Sequence, residues 1–332
     1  MADNDPIIVL TDNEFFTGLA NLALFMRLYA TNTSSVPEKF VESFMTETLG
    51  SGNTKIFPWA DLPSVSDYSG TSSLLTVTKV NAGEEYIQIT EKKVIKSSYN
   101  KYILDMAFTS ESGMNDFVGY LLGQMESAKV DHLYNVIIND LFTKEYSGSQ
   151  LVTVSQYDTS GATSFAEINA GELINQKNIA KAVELTVNNI TVYTTAYNSL
   201  GNKEALDVQD MKFIFCEPYH TENIINLFAT LLKSDVIEKS FQKPEMYTIP
   251  QIKIPTDNPG NALVIGWVMH KYAYQMFYKF TFMGSFFDVS NLCVNNFLHF
   301  WYGKGWLENL PRVGFLANAV QLASADDNQG EE

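Results

Sequence analysis

Residues 112–142 read SGMNDFVGYLLGQMESAKVDHLYNVIINDLF, a proline-free stretch long enough to cross a whole domain. Phe117, Leu121, Met125, Ala128, His132 and Val136 recur at three- and four-residue steps, which puts them on one face of a helix. Ser112 suits the N-cap, and Asn115 and Asp116 fall in the first turn, where a carboxylate favours the helix dipole. The pattern predicts a helix of about 27 residues, roughly 40 Å long. An ordinary globular helix has about 11–12 residues. A helix of this length acts as a spine that fixes where the other elements sit.

The rest of the composition says what that spine serves. At 332 residues the chain exceeds the usual size of one core, so more than one packed lobe is expected. Hydrophobic residues make up 45% and aromatics 13%, enough for a sizeable core, while charged residues reach only 18%. That is below the ~25% of ordinary soluble domains and points to surface that ends in protein contacts. The net charge of −16 argues against a protein that grips nucleic acid, which needs a basic patch. Cys216 and Cys293 read as reduced thiols of an intracellular protein. The first ten residues lack a basic, then apolar, signal pattern, and apolar runs such as ALVIGWVM are too short to span a bilayer. Synthesis in a cytoplasm and no membrane partner are therefore expected.

Along the chain, Phe15, Phe16, Leu19, Leu22, Phe25, Met26 and Tyr29 predict an apolar helical arm, followed by a short helix over 38–49. Residues 57–73, rich in Pro, Ser, Asp and Gly, predict an extended connection. Residues 75–80 (LTVTKV) and 86–90 (YIQIT) alternate apolar and polar around a turn candidate at 81–83, which predicts a two-stranded ribbon. A third extended stretch runs from Val94 to Leu104. An isolated ribbon is marginal in water and needs a surface to lie on. Beyond the spine follow a short strand at 151–154 and a helix over 172–187. A buried strand at 211–216 then leads into a helix begun by Pro218. Strands are predicted at 262–267 and 271–282, with one long strand at 288–302 that a Gly303–Gly305 break ends. A last apolar segment, 312–322, precedes the acidic tail.

No constellation of catalytic residues emerges. His132, His220, His270 and His299 have no metal-ligand spacing, and His132 fits a satisfied core histidine. Phosphate loops, dinucleotide fingerprints and nucleophile elbows are absent, and Gly303-Lys304-Gly305 reads as a turn. Acidic pairs such as Glu84-Glu85 read as solvated charge in turns. The sequence thus predicts no catalytic residue, no metal ligand, no cofactor, and a protein that is not an enzyme.

The order of arm, ribbon, spine helix, α/β lobe and returning strands resembles the major capsid protein of tailed bacteriophages, the Hong Kong 97-type fold. It is most like those of short-tailed phages of Gram-positive hosts. The stretches that carry the likeness are NDFVGYLLGQMESAKVDHLYNVIINDLF, IFCEPYHTENI and NNFLHFWYGKGWLENLPRVGFLANAV. The resemblance implies an α+β chain with an N-terminal helical arm over 1–55 and an extended β-ribbon, the E-loop, over 56–108. The spine helix and start of the P-domain would take 109–170 and an α/β A-domain 171–282. Returning P-domain strands would take 283–322, and a disordered acidic tail 323–332. It implies a shell subunit that joins copies of itself in pentamers and hexamers, resides in the virion and is made in the host cytoplasm. Its partners would be a separate scaffolding protein, a portal protein and packaged double-stranded DNA bound without sequence specificity. Trp59, Leu75, Lys79 and Tyr86 of the ribbon and Phe15 and Phe25 of the arm are the candidate subunit-interface residues. Lys79 also lies where some relatives carry a cross-linking lysine, though nothing else singles it out. Two other readings stay open here: an encapsulin-like nanocompartment shell, and a two-lobed soluble α/β enzyme.

Overall fold

The computed structural model describes residues 35–46, 52–63, 65, 79–101, 111–146, 148–157, 165–216, 245–250 and 263–320. Phe15, Phe25, Leu75, His220 and the acidic tail lie outside the described residues. By its contacts the chain divides into two compact units. One comprises Met1–Lys55, Ile87–Ile137 and Met276–Gly305; the other comprises Ile56–Tyr86, Ile138–Gln275 and Trp306–Glu332.

The first unit opens with helix α1, Val36–Phe44. Its start is a capping box: the Glu38 amide donates to Ser35 Oγ, and the Ser35 amide donates to Glu38 Oε2, both at 3.3 Å. The helix stops short of the expected 38–49 span. Met45 turns extended and bridges Met276, whose carbonyl takes the Thr46 amide at 2.8 Å. The described residues of the ribbon are β1, Thr54–Ala60, and β2, Ala82–Asn100. Helix α2, Glu111–Thr143, is the predicted spine. At 33 residues it is about 50 Å long. Ser112 lies inside it, not at its N-cap.

The buried face of α2 differs from the predicted one. Val118, Leu122, Met125, Leu133, Ile137 and Leu141 are buried, whereas Leu121, His132 and Val136 are half-buried and Ala128 is exposed. Residues that can face a core stand side by side at 121–122 (Leu-Leu), 132–134 (His-Leu-Tyr) and 136–138 (Val-Ile-Ile), so two adjacent stripes both satisfy a helical period. Packing selected the stripe one residue further on. Against it lie β7, Tyr274–Asp288, and β8, Cys293–Trp306. Val118, Leu122 and Met125 form a core with Tyr99, Val294 and Leu298, flanked by Ile95, Leu121, Met283 and Phe287. His132 is satisfied as expected: its Nε2 lies 3.1 Å from the Tyr302 hydroxyl.

By hydrogen bonding the sheet runs in the order β1-β2-β8-β7. Three features depart from expectation. The ribbon strand predicted at 75–80 lies outside the described residues but for its last two; beside β2 stands β1, whose Pro58 is tolerated because β1 is the edge strand among the described residues. Residues 82–83 continue β2 and do not turn. The predicted strand over 288–302 is divided by a turn at 289–292, held by the Ser290 amide on Asp288 Oδ1 at 2.9 Å, with Leu292 at a φ of 51°. Gly303 and Gly305 lie within β8 and do not end it. A bulge at Thr90 shifts the pairing from Ile89–Gly303 to Glu91–Tyr302.

The second unit holds a five-stranded mixed sheet in the order β3-β9-β6-β4-β5. These strands are β3 Leu151–Tyr157, β4 Met211–Cys216, β5 Glu245–Ile249, β6 Leu263–His270 and β9 Arg312–Val320. Helix α3, Phe165–Ile190, packs Ile179, Val183 and Ile190 on Met211, Phe213, Phe215, Ile265, Val313 and Phe315. Every residue of β4 is buried, as expected of a central strand. Gly266 is required beside it, since a β-carbon there would lie 2.2 Å from the Ile214 carbonyl oxygen.

Candidate subunit-interaction surface

Part of the ribbon, residues 56–86 of the second unit, leaves apolar side chains in water. Alternation along β2 sends Gly83, Glu85, Ile87 and Ile89 to one face and Glu84, Tyr86, Gln88 and Thr90 to the other. Tyr86 is 65% exposed, and Ile56, Leu62, Val65 and Val80 are exposed as well. Scattered exposed apolars are ordinary, but five among the described residues of 56–86 mark a contact surface. Of the sequence-predicted residues, Trp59 is half-buried against Gly83, on the face of β2 opposite Tyr86. Lys79 is exposed. They do not converge on one cluster.

A second open surface lies on the first unit, on the face of β2, β8 and β7 turned away from the spine. Cross-strand pairing sets Lys92 beside Trp301, Val94 beside His299 and Lys96 beside Phe297. The Lys92 ammonium stands 4.7 Å from the Trp301 ring centre, and Lys96 stands 5.8 Å from that of Phe297. Phe280 lies 5.4 Å from Trp301 and stacks on Phe282 at 6.0 Å. Phe280, Phe282 and Phe286 are all exposed. None of these positions carries a carboxylate, in a chain of net charge −16. The sequence reading of β8 as a plain strand had missed this lysine–aromatic ladder.

At the base of the ribbon stands a polar node. Glu85 is half-buried, and its carboxylate accepts the Glu308 amide at 2.7 Å and the Asn309 amide at 3.3 Å. The Glu308 side chain in turn accepts from Lys144 at 2.6 Å and from Arg312. Arg312 is buried and donates to the Leu307 carbonyl at 2.9 Å and to Ser199 Oγ at 2.7 Å. Burial works against the charged form of Glu308, yet the hydrogen bonds from Lys144, Ser199 and Arg312 outweigh it and hold its carboxyl at about 2. The expectation of solvated charge holds for Glu84 alone, which is exposed, though it lies in β2 and not in a turn. Glu85 shares the face of Ile87 and Ile89, and that alternation was the available signal.

Among the described residues no group of three or more His, Cys, Asp or Glu could hold a metal. No described helix is long and apolar enough to cross a membrane. His270 accepts the Tyr272 amide at Nδ1, 3.0 Å away, and burial holds its imidazole at about 4. Burial likewise pushes the Cys216 thiol up to about 12, which leaves it unreactive.

A family model of the Phi29-like phage major capsid protein matches residues 29–315, most of the chain. The chain belongs to that family. Solved structures agree on the fold. The capsid of Staphylococcus phage Andhra matches with a TM-score of 0.56 at 10% identity, covering 83% of each chain. That of Cyanophage P-SCSP1u matches with a TM-score of 0.53 at 16% identity, over 84% of this chain and 88% of the other. Among curated protein sequences none matches. The Phi29-like capsid protein is thus a shell subunit of a tailed phage, with the α+β, Hong Kong 97-type fold that the sequence suggested. Its place is the virion, and its first partner is itself. The family is one of structural proteins.

Proposed function

We propose that this capsid protein closes into an icosahedral shell of pentamers and hexamers around double-stranded DNA, using the ribbon and the lysine–aromatic sheet face as contacts between copies. The observation that carries the reading is the exposure of Ile56, Leu62, Val65, Val80 and Tyr86, which an isolated subunit leaves in water. Heterologous contacts of an extended element with a neighbour close into rings when the rotation allows it. Trp59, Leu75, Lys79 and Tyr86 belong to that contact, and the arm residues Phe15 and Phe25 to a second one. A separate scaffolding protein guides assembly in the host cytoplasm, and a portal protein takes one vertex. The acidic subunit encloses packaged DNA without sequence-specific binding, because with 38 acidic against 22 basic residues it gains little from releasing counterions of the phosphates. Arm (1–55), ribbon (56–108), spine (109–170), A-domain (171–282), returning strands (283–322) and tail (323–332) divide the work in the manner of the family. Co-expression with the scaffolding protein, followed by sedimentation and electron microscopy, tests this. Closed shells are expected; only monomers and small oligomers would overturn the proposal.

A further inference from the structure

Resting on that assembly reading, we propose that Glu85 is a positioning residue, whose carboxylate latches the base of the ribbon onto the turn at residues 307–310 and so presents the ribbon in the pose that a neighbouring copy engages. A strand that leaves its sheet has few ways to keep its direction, because its side chains alternate and its outer face is in water. Here a single side chain supplies two anchors: Glu85 Oε1 takes the Glu308 amide at 2.7 Å and Oε2 takes the Asn309 amide at 3.3 Å. Paired hydrogen bonds to a carboxylate fix orientation as well as distance.

The anchor point is itself held. The Ser199 amide donates to the Glu308 carbonyl at 2.9 Å, and the Leu307 amide donates to the Ala273 carbonyl at 2.8 Å. The Glu308 carboxylate meets Lys144 and Arg312, and Trp306, two residues earlier in the chain, lies beneath both cations at 5.8 and 5.6 Å. The turn therefore offers its two amides from a fixed place, and Glu85 transmits that fixity to β2. A solvated carboxylate would do none of this. Glu84, adjacent in sequence and exposed on the opposite face, serves as the internal control.

The test compares Glu85→Ala, Glu85→Gln and Glu84→Ala with the parent subunit in two measurements. One is hydrogen exchange of the unassembled protein, and the other is the yield of closed shells with scaffolding protein. Glu85→Ala is expected to speed exchange in a peptide covering residues 306–311 roughly tenfold, the scale of a lost charge-assisted hydrogen bond. Exchange across Met211–Cys216 stays at the parent level, which confirms folding, and shell yield falls. Glu85→Gln keeps one acceptor oxygen and the side-chain volume; it falls between, and it carries the test should the alanine variant not fold. Glu84→Ala matches the parent in exchange. Unchanged exchange at 306–311 in both Glu85 variants, or parent-level shell yield from them, would overturn the proposal. Failure of the parent itself to close shells would overturn the assembly reading and this proposal with it.

Discussion

Trp59 lies so close over Gly83 that a β-carbon at position 83 would sit 2.7 Å from the indole Cζ2 and 2.9 Å from Cε2. The glycine is there for the approach of the ring and not for a turn. Gly83→Ala must displace the indole or bend β2, and overpacking of this kind costs about 1–3 kcal/mol. In a Trp59→Ala background the same substitution should cost almost nothing. A double-mutant cycle by urea denaturation reads the difference, and additive costs would refute the contact.

The spine gives a second expectation, because its two candidate faces make opposite predictions. Leu133 is fully buried, whereas Ala128 is exposed. Leu133→Ala should lose about 2–5 kcal/mol, the usual range for a buried leucine. Ala128→Lys should stay within about 0.5 kcal/mol of the parent, as surface changes do. Equal losses in thermal or urea unfolding would mean that α2 is rotated from its described packing.

Glu308 sets a pH dependence. Its carboxyl titrates at about 2 when folded, well below the ordinary 4.5, despite burial and because of Lys144, Ser199 and Arg312. A depressed carboxyl contributes stability that is fully present above about 4.5 and lost as pH falls toward 2. The parent should therefore lose more of its urea midpoint between pH 5 and pH 2.5 than Glu308→Gln does. Parallel curves for the two proteins would show that the cluster around Arg312 does not favour the ionised acid.

These cases also show what could be read from residues alone. The long spine, the buried strand at 211–216 and the alternating ribbon were legible because period and length speak locally. The buried side of α2 was not, since neighbouring apolar positions offered two stripes, and Tyr99, Val294 and Leu298 on the opposing strands decide between them. Pro58 and Gly83 read as breakers because their tolerance depends on an edge position and on a ring from another strand. Glu85 and the Lys92–Trp301 ladder required pairing across more than two hundred residues of sequence, which no local pattern reports.

The most direct test of the account is oxidative footprinting of the subunit before and after shell formation, read by mass spectrometry at Tyr86, Phe282 and Trp301. All three should react in the unassembled protein and become protected in closed shells, with Tyr193, exposed and outside both assigned surfaces, as a comparison site. Closed shells in which Tyr86 and Trp301 react as fast as in the free subunit would contradict the account, because the surfaces assigned to assembly would still face water.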